Sequence, residues 1–435
     1  MNAAVAEAGR AEPIDVVIER IGAQGDGIAE DPRGRFYVPG TVAGDRVRVR
    51  PGAVRGDGRS ANLVELLAPG PGRRRPACRH FGHCGGCTLQ HLDDATYAAW
   101  KLERVSSAVS RAGIAPAETA PLVRTDPGGR RRAVFVAERP QPPGAVRLGF
   151  HVRRGHTVVD VDECPVLAPD LLALVPGLRS LMGELLSPGE RTTLSVTALT
   201  DGIDLVVALP QPPGPSVRER LALFAEDADL ARLSWVRGGS AAAAGAAEPI
   251  AHRRPATAVF AGVPVTVPPG GFLQASAAGE RALVAAVLAA TAGRARIADL
   301  FCGAGTFTLP LAARGARVDA IDGDADALAA LAVAARSMPH VRCERRDLFT
   351  RPLAAVELEG YDAVVFDPPR SGAATQARAL ASSPVPLVVA VSCNPDTFAR
   401  DARVLAAGGY RLTRVTPVDQ FLWSPHVELC AVFRR

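Results

Sequence analysis

No run of apolar residues in this 435-residue chain approaches the ~20 that a membrane helix needs; the longest, such as Val385 to Cys393, stop far short. A membrane span is therefore not expected. The N-terminus also lacks the apolar core of a secretory signal, since Glu7, Arg10, Glu12 and Asp15 stand where it would lie, and this predicts a cytoplasmic protein. Aromatic residues are scarce at 5%, and Lys101 is the only lysine. Arginine thus carries nearly all the positive charge amid abundant alanine, a bias that reflects genome base composition and is given no functional weight. Sustained apolar heptads are missing, which points to a monomer. The eight cysteines are too few and too unevenly spaced for a disulfide framework.

What remains describes a globular chain: 48% hydrophobic, 22% charged, with a mean hydropathy of +0.11. At roughly 100–200 residues per domain the length predicts two to four domains. The net charge of +5 is unevenly spread: residues 73–154 hold fifteen Arg/Lys against six Asp/Glu, leaving the rest of the chain at −4. The clusters Arg73–Arg75, Arg130–Arg132 and Arg153–Arg154 could neutralise the phosphates of a polyanion. A solvated basic face is the plainer reading.

Residues 12–68 alternate apolar and polar positions in short runs, such as Asp45 to Arg50, separated by Gly/Asp punctuation. That spacing predicts a small β-barrel or sandwich, closed by the Pro-Gly-Pro-Gly linker at Pro69–Gly72. Thr96–Ala112 has helical periodicity. Beyond it come broken strand-like runs and proline loops, then an alanine-rich piece, Gly238–Glu248, expected to be a mobile loop. From about residue 270 short β runs alternate with longer helical runs: strands at Ala295–Leu300, Arg317–Ile321, Tyr361–Phe366 and Leu387–Val391, helices at Thr308–Arg314, Ala325–Arg336 and Thr397–Ala407. This alternation predicts a parallel, doubly wound α/β sheet, which places ligands at the carboxyl ends of its strands.

The chemical motifs fall at those ends. Asp299 to Phe307 leaves a strand, turns on Gly303 and Gly305 and enters a helix, a loop over which a ligand can come close to the backbone. A third glycine is missing, since Thr308 takes its place, which weakens the case for a dinucleotide. Asp322 ends the next strand, where it could accept from ribose hydroxyls, and Asp347 ends a probable third, near where a base ring would lie. Asp367-Pro368-Pro369-Arg370 forms a stiff strand-end loop that aims a carboxylate and backbone carbonyls into the site. Cys393, in Ser392-Cys393-Asn394-Pro395, sits at a strand terminus just ahead of a helix start, placed for a lowered thiol pKa and nucleophilic work. Glu428, in an apolar run near the C-terminus, is a candidate general base.

Taken with Phe272-Leu273-Gln274, and in this order and spacing, these motifs resemble the RNA uracil-carbon-5 methyltransferases, which make 5-methyluridine. The resemblance covers nearly the whole chain. It implies a class I Rossmann-like methyltransferase domain over 266–435, an N-terminal TRAM (OB-like) RNA-binding β-barrel over 11–70, and a central α+β iron–sulfur domain over 71–265 that also binds RNA. It implies Cys393 as the nucleophile that adds to uracil carbon 6, Glu428 as the base that removes the carbon-5 proton, and S-adenosylmethionine as methyl donor. Gln274, Phe301, Thr306, Asp322, Asp347 and Asp367 would line the cofactor and target-base site. Ser276 and Thr306 stand where the family often has Asn, and Asp322 where it usually has Glu; each remains polar.

Three cysteines cluster as Cys78, Cys84 and Cys87, with Cys164 ahead of a proline as a plausible fourth ligand. Four thiolates suit a structural zinc or an iron–sulfur cluster. The spacing is closer to iron–sulfur habits, and the resemblance implies a [4Fe–4S] cluster with a structural or RNA-binding role. The expected partner is RNA, ribosomal 23S before transfer RNA. A non-catalytic RNA-binding or assembly factor on the same fold is the alternative from another class.

Overall fold

The computed structural model describes residues 11–142, 144–238 and 247–435. The alanine-rich stretch expected as a loop lies, from 239 to 246, outside the described residues. The chain divides into two compact units. One comprises residues up to 104 together with 151–159 and 421–425, the other 105–150, 160–420 and 426–435. Among the described residues no helix is long and apolar enough to cross a membrane.

The first unit is built on the strands β1 (Ile14–Val17), β2 (Arg20–Ile21), β3 (Asp26–Asp31), β4 (Gly34–Pro39), β5 (Arg46–Arg55) and β6 (Gly58–Ala68), in the sheet order β1-β5-β6-β4-β3-β2. The period of two in Arg46-Val47-Arg48-Val49 turns both valines into a core with Ile18, Phe36 and Val38 and leaves Arg48 outside to pair with Asp15 and Glu65. Helix α1 (Asp94–Arg111) follows a turn-rich stretch that carries Cys78, Cys84 and Cys87.

The second unit begins at Val105, within α1, and continues with the short strands β7 (Glu118–Thr119) and β8 (Val123–Arg124). A mixed sheet then runs through β9 (Arg132–Glu138), β10 (Arg147–His151), β11 (Val158–Asp160), β12 (Arg191–Leu199), β13 (Gly202–Leu209), β14 (Arg232–Arg237) and β15 (Glu248–His252). Interspersed with these strands are α2 (Pro169–Ala173), α3 (Val175–Leu185) and α4 (Pro215–Asp227), and the hairpin β16 (Thr257–Phe260) and β17 (Val263–Thr266) leads on to α5 (Ala277–Ala290).

After α5 comes the doubly wound, Rossmann-like part: β18 (Arg296–Leu300), α6 (Thr308–Ala313), β19 (Arg317–Asp322), α7 (Ala325–Ala334), β20 (Val341–Arg345), β21 (Ala363–Phe366), α8 (Ala374–Ala381), β22 (Leu387–Ser392), α9 (Pro395–Ala407), β23 (Arg411–Asp419) and β24 (Glu428–Arg434). The sheet order is β20-β19-β18-β21-β22-β24-β23-β7, with β8 also on β23; the first five are parallel and β24 runs antiparallel to both its neighbours. Strands β21 and β22 are buried along their whole length, as parallel strands covered on both faces must be. Their alternate residues feed two separate cores. Val364, Phe366, Val388 and Ala390 pack with Leu380, Phe398 and Leu405, whereas Val365, Val389 and Val391 pack with Leu283, Val287 and Leu311. Helices on both faces are thereby fixed, and the strand ends are left as the open edge.

Candidate active site

Topology alone brings the two chemical residues together. Because β24 lies antiparallel beside β22 with Ser392 opposite Leu429, the residue after Ser392 and the residue before Leu429 meet at one end of the sheet. These are Cys393 and Glu428. Asn394 caps α9 by accepting from the Asp396 N–H, with Pro395 in the first turn, so the chain turns sharply after Cys393.

Glu428 is buried at 2% exposure and belongs to a directed chain of hydrogen bonds. Gln420 Nε2 donates to Glu428 Oε2 at 2.8 Å and to Gln274 Oε1 at 2.7 Å. Gln274 Nε2 in turn donates to Asp367 Oδ2 at 2.9 Å. Burial and the Asp367 charge push the Glu428 carboxyl well above the usual range, with the Gln420 hydrogen bond pulling the other way. Burial likewise raises Asp367, opposed by Gln274. Two carboxyls so placed cannot easily both be ionised, which suits one of them to hold a proton at neutral pH.

Cys393 is half-buried, and its thiol is pushed up to about 12 by burial and then by the charges of Glu428 and Asp367, with Arg370 opposing. The lowered thiol expected from the nearby helix start is thus not found: the two carboxylates and desolvation outweigh the α9 terminus. The Arg370 guanidinium lies 2.9 Å from the His426 ring, and the Arg370 carbonyl accepts from Asn394 Nδ2 and Thr397 Oγ1. This ties the loop after Asp367 to the loop after Cys393.

The loop after β18 is the second half of the site. Phe301, Gly303 and Gly305 all take positive φ, at 58°, 54° and 97°, so three of five consecutive residues are left-handed. For Phe301 that is a strained conformation, of the kind that concentrates at functional sites. Asp322, at the end of β19, accepts from the Gly303 N–H at 2.7 Å and the Asp324 N–H at 2.8 Å, and this holds the loop down. Asp299 is fully buried; Thr308 Oγ1 donates to its Oδ2 at 2.5 Å, and its Oδ1 finds no partner among the described residues. Burial, with the charges of Asp367 and Asp322, pushes the Asp299 carboxyl up to about 7 even against the Thr308 hydrogen bond. The Phe301 and Phe349 rings meet at 5.4 Å at the edge of this loop. Thr306 is half-buried in the same turn. Asp347 is exposed, and its carboxylate accepts from the Phe349 N–H and Thr350 Oγ1 within its own turn. Asp299, Asp322 and Asp367 thus gather at neighbouring strand ends, where a cationic ligand would favour their ionised forms.

Two features escape reading from sequence. Gln420 links Gln274 to Glu428, although its Asp-Gln-Phe setting carries no chemical signal of its own. The basic run at Arg130–Arg132 is in large part a brace. Arg131 Nε donates to the Gln274 carbonyl at 2.9 Å, its guanidinium pairs with the mostly buried Glu280, and Arg132 Nη1 donates to the Leu273 carbonyl at 2.7 Å. In the first unit, Arg73 pairs with the buried Asp45, while Arg55, Arg153 and Arg154 form ion pairs with the buried Asp26. Several arginines of the expected phosphate-binding clusters are therefore committed to internal partners.

Cys78, Cys84 and Cys87 are half-buried in the first unit, where the Gly86 N–H lies 3.5 Å from Cys84 Sγ; Cys164 is half-buried in the second unit. Among the described residues no three His, Cys, Asp or Glu side chains are grouped as a metal site.

Comparison with known proteins agrees with this geometry. The family described as tRNA (Uracil-5-)-methyltransferase matches residues 266–435. A Brucella suis protein named as an uncharacterized RNA methyltransferase is 46% identical over 424 residues, covering 97% of each chain. The 23S rRNA (uracil(1939)-C(5))-methyltransferase RlmD of Thiobacillus denitrificans is 35% identical over 421 residues, covering 95% of this chain and 97% of that protein. Among solved structures, the Pyrococcus abyssi tRNA (uracil-54, C5)-methyltransferase in complex with S-adenosyl-L-homocysteine shares the fold, with a TM-score of 0.74 at 24% identity over 97% of this chain and all of that one.

Proposed function

The chain belongs to the RNA uracil-5-methyltransferase family, and from that premise we propose that it methylates a uridine of 23S rRNA through a covalent Cys393 adduct resolved by Glu428. The observation that carries the mechanism is the buried Asp367–Gln274–Gln420–Glu428 chain beside Cys393.

Carbon 5 of uracil is a poor nucleophile, so a sulfur must first add at carbon 6. Cys393 has that role; its raised thiol gives up its proton to Asp367 as the carbon–sulfur bond forms, which leaves Glu428 ionised for the later step, and that proton returns to the sulfur when Cys393 is released. S-adenosylmethionine, when bound, supplies an electrophilic methyl on a positively charged sulfur. Asp299 and Asp322 would stand beside that group, and the ionised fraction that burial leaves them favours its positive charge; Asp299 Oδ1 is an acceptor without a partner among the described residues. Phe301 and Phe349 offer ring surfaces at the pocket edge. Glu428 then takes the carbon-5 proton, which restores the ring double bond and releases Cys393. A paired uridine hides both ring faces, so the target leaves its stack to enter the site.

The 23S target is supported by likeness to RlmD over nearly the full chain, and transfer RNA is the competing substrate. We further propose that residues 11–70 are a TRAM barrel and 71–265 a central domain, both on RNA, and that Cys78, Cys84, Cys87 and Cys164 hold a [4Fe–4S] cluster. The four-thiol donor set fits that group, as does the Gly86 N–H aimed at Cys84 Sγ, since hydrogen bonds to ligand sulfur are usual at such clusters. These cysteines would hold it as a structural element; methyl transfer needs no electron. The protein acts as a cytoplasmic monomer on this reading.

The test incubates anaerobically purified protein with methyl-labelled S-adenosylmethionine and unmodified rRNA or tRNA, followed by nucleoside mass spectrometry. Label in 5-methyluridine from 23S rRNA alone supports the proposal. The same nucleoside from tRNA alone overturns the target and keeps the chemistry.

A further inference from the structure

Gln420 stands at the hub of the buried hydrogen-bond chain. It is 3% exposed, follows the last residue of β23, and gives Nε2 protons to both Gln274 Oε1 and Glu428 Oε2. A side-chain amide has two such protons. Turning it over would set Oε1 against two acceptor oxygens, so the network assigns its orientation. The orientation has a cost, because Gln420 Oε1 then lies buried without a hydrogen-bond partner among the described residues. Unpaired buried acceptors are rare and call for a reason.

The surrounding backbone is shaped to accept this amide. A Cβ placed on Gly279 in the first turn of α5 would come within 2.6 Å of Gln420 Cβ and 3.0 Å of its Oε1. Glycine there lets the helix approach. The same Gly279 N–H is bonded to the capping Ser276 Oγ, so the helix start, the Gln274 loop and Gln420 are locked as one assembly.

We propose that Gln420 is a positioning residue for the base: it fixes one oxygen of Glu428, leaves the other for the carbon-5 proton, and joins Glu428 to the Gln274–Asp367 pair. This rests on the reading of Cys393 and Glu428 given above. In the step it serves, the carbon-5 proton passes to Glu428, the electrons of that C–H bond form the C5=C6 double bond, and the C6–S bond breaks to return the thiolate of Cys393. The groups that face Glu428 electrostatically are Asp367 from the end of β21 and Cys393 after β22, with Arg370 acting on Cys393. Burial and then Asp367 drive the carboxyl toward its neutral form; the Gln420 donor is the opposing influence, and it keeps the base available at lower pH.

The experiment uses the full-length protein with Gln420→Met, which keeps length and removes both donors, and with Gly279→Ala, which displaces the amide without removing it. Release of free 5-methyluridine RNA is followed from pH 6 to 9 in single-turnover and steady-state assays, and covalent protein–RNA complex is read on denaturing gels. Loss of one hydrogen bond to a charged group should move the acidic limb of the rate profile up by about 1–2 pH units. The rate at pH 7 should then fall by about tenfold or more, with methylated covalent complex accumulating and KM for RNA within about twofold. Gly279→Ala should shift the limb the same way by less, and it decides the matter should Gln420→Met not fold. A rate loss equal at every pH, or one without accumulated complex, would overturn the positioning role. Wild-type protein that makes no 5-methyluridine would instead overturn the reading beneath it.

Discussion

Gly303 and Gly305 of the cofactor loop stand two positions apart, and experiment can separate what each contributes. Both Gly303 and Gly305 lie at positive φ, so alanine at either place pays left-handed strain of about 1–2 kcal/mol. Their surroundings differ. A Cβ on Gly303 meets nothing within 4 Å, whereas one on Gly305 lies 2.5 Å from Leu331 Cδ1 and 3.3 Å from Leu309 Cγ. Leu331 and Leu309 are fully buried, so they can yield only by repacking, at about 1–3 kcal/mol more. Gly305→Ala should therefore destabilise the protein by about 2–5 kcal/mol and Gly303→Ala by about 1–2. Thermal and urea unfolding of both variants measures the gap, and calorimetric titration with S-adenosylhomocysteine measures the site. Gly303→Ala should lose affinity with little loss of stability, because its strain falls on the N–H that Asp322 accepts. Equal destabilisation by the two variants would refute this account of the loop.

Other consequences are as direct. Glu428→Gln should still add to uracil and transfer methyl but fail to release product, so a methylated covalent complex should build up on denaturing gels while turnover falls by at least ~100-fold. Turnover should also rise with pH over an acidic limb far above the ordinary carboxylate range, because Glu428 acts only when ionised and burial with Asp367 raises its pKa; a limb near pH 4–5 in the pH–rate profile would contradict this. Arg131→Ala strips a mostly buried Glu280 of its cation and should cost about 3–5 kcal/mol in unfolding experiments, while Glu280→Gln, which leaves no carboxylate behind, should cost much less. Cys84→Ser should lower iron and acid-labile sulfide together in anaerobic preparations, and retention of both would remove Cys84 from the ligand set.

The doubly wound part was legible because its physics is local. Parallel strands covered on both faces must be short apolar runs, and those expected at Leu387–Val391 and Tyr361–Phe366 are found at Leu387–Ser392 and Ala363–Phe366, while the helix expected from Thr397 starts at Pro395 behind its Asn394 cap. The strand order was not. That β24 inserts between β22 and β23 follows from long-range pairing, and only this pairing explains why a glutamate 35 residues beyond Cys393 shares its site. Gln420 was overlooked for a related reason: an amide becomes informative only when its acceptors are known. The arginine clusters misled in part. Charge in a sequence does not say whether its partner is a phosphate outside or a carboxylate within, and Arg73, Arg131, Arg153 and Arg154 have found the latter. The helix start beside Cys393 is visible in the sequence, but the burial that raises its thiol, and after it the two carboxyls brought by other strands, are set by the fold.

The central claim is that Cys393 forms a bond to uracil carbon 6 that Glu428 must resolve. It is tested most directly with substrate RNA carrying 5-fluorouridine, in which carbon 5 holds no proton to remove. Wild-type protein with S-adenosylmethionine should be trapped as a covalent complex stable to denaturant, with mass spectrometry placing the methylated fluorouridine on Cys393, and Cys393→Ala should form none. Trapping that persists in Cys393→Ala, or methylation of ordinary RNA by that variant, would contradict the account.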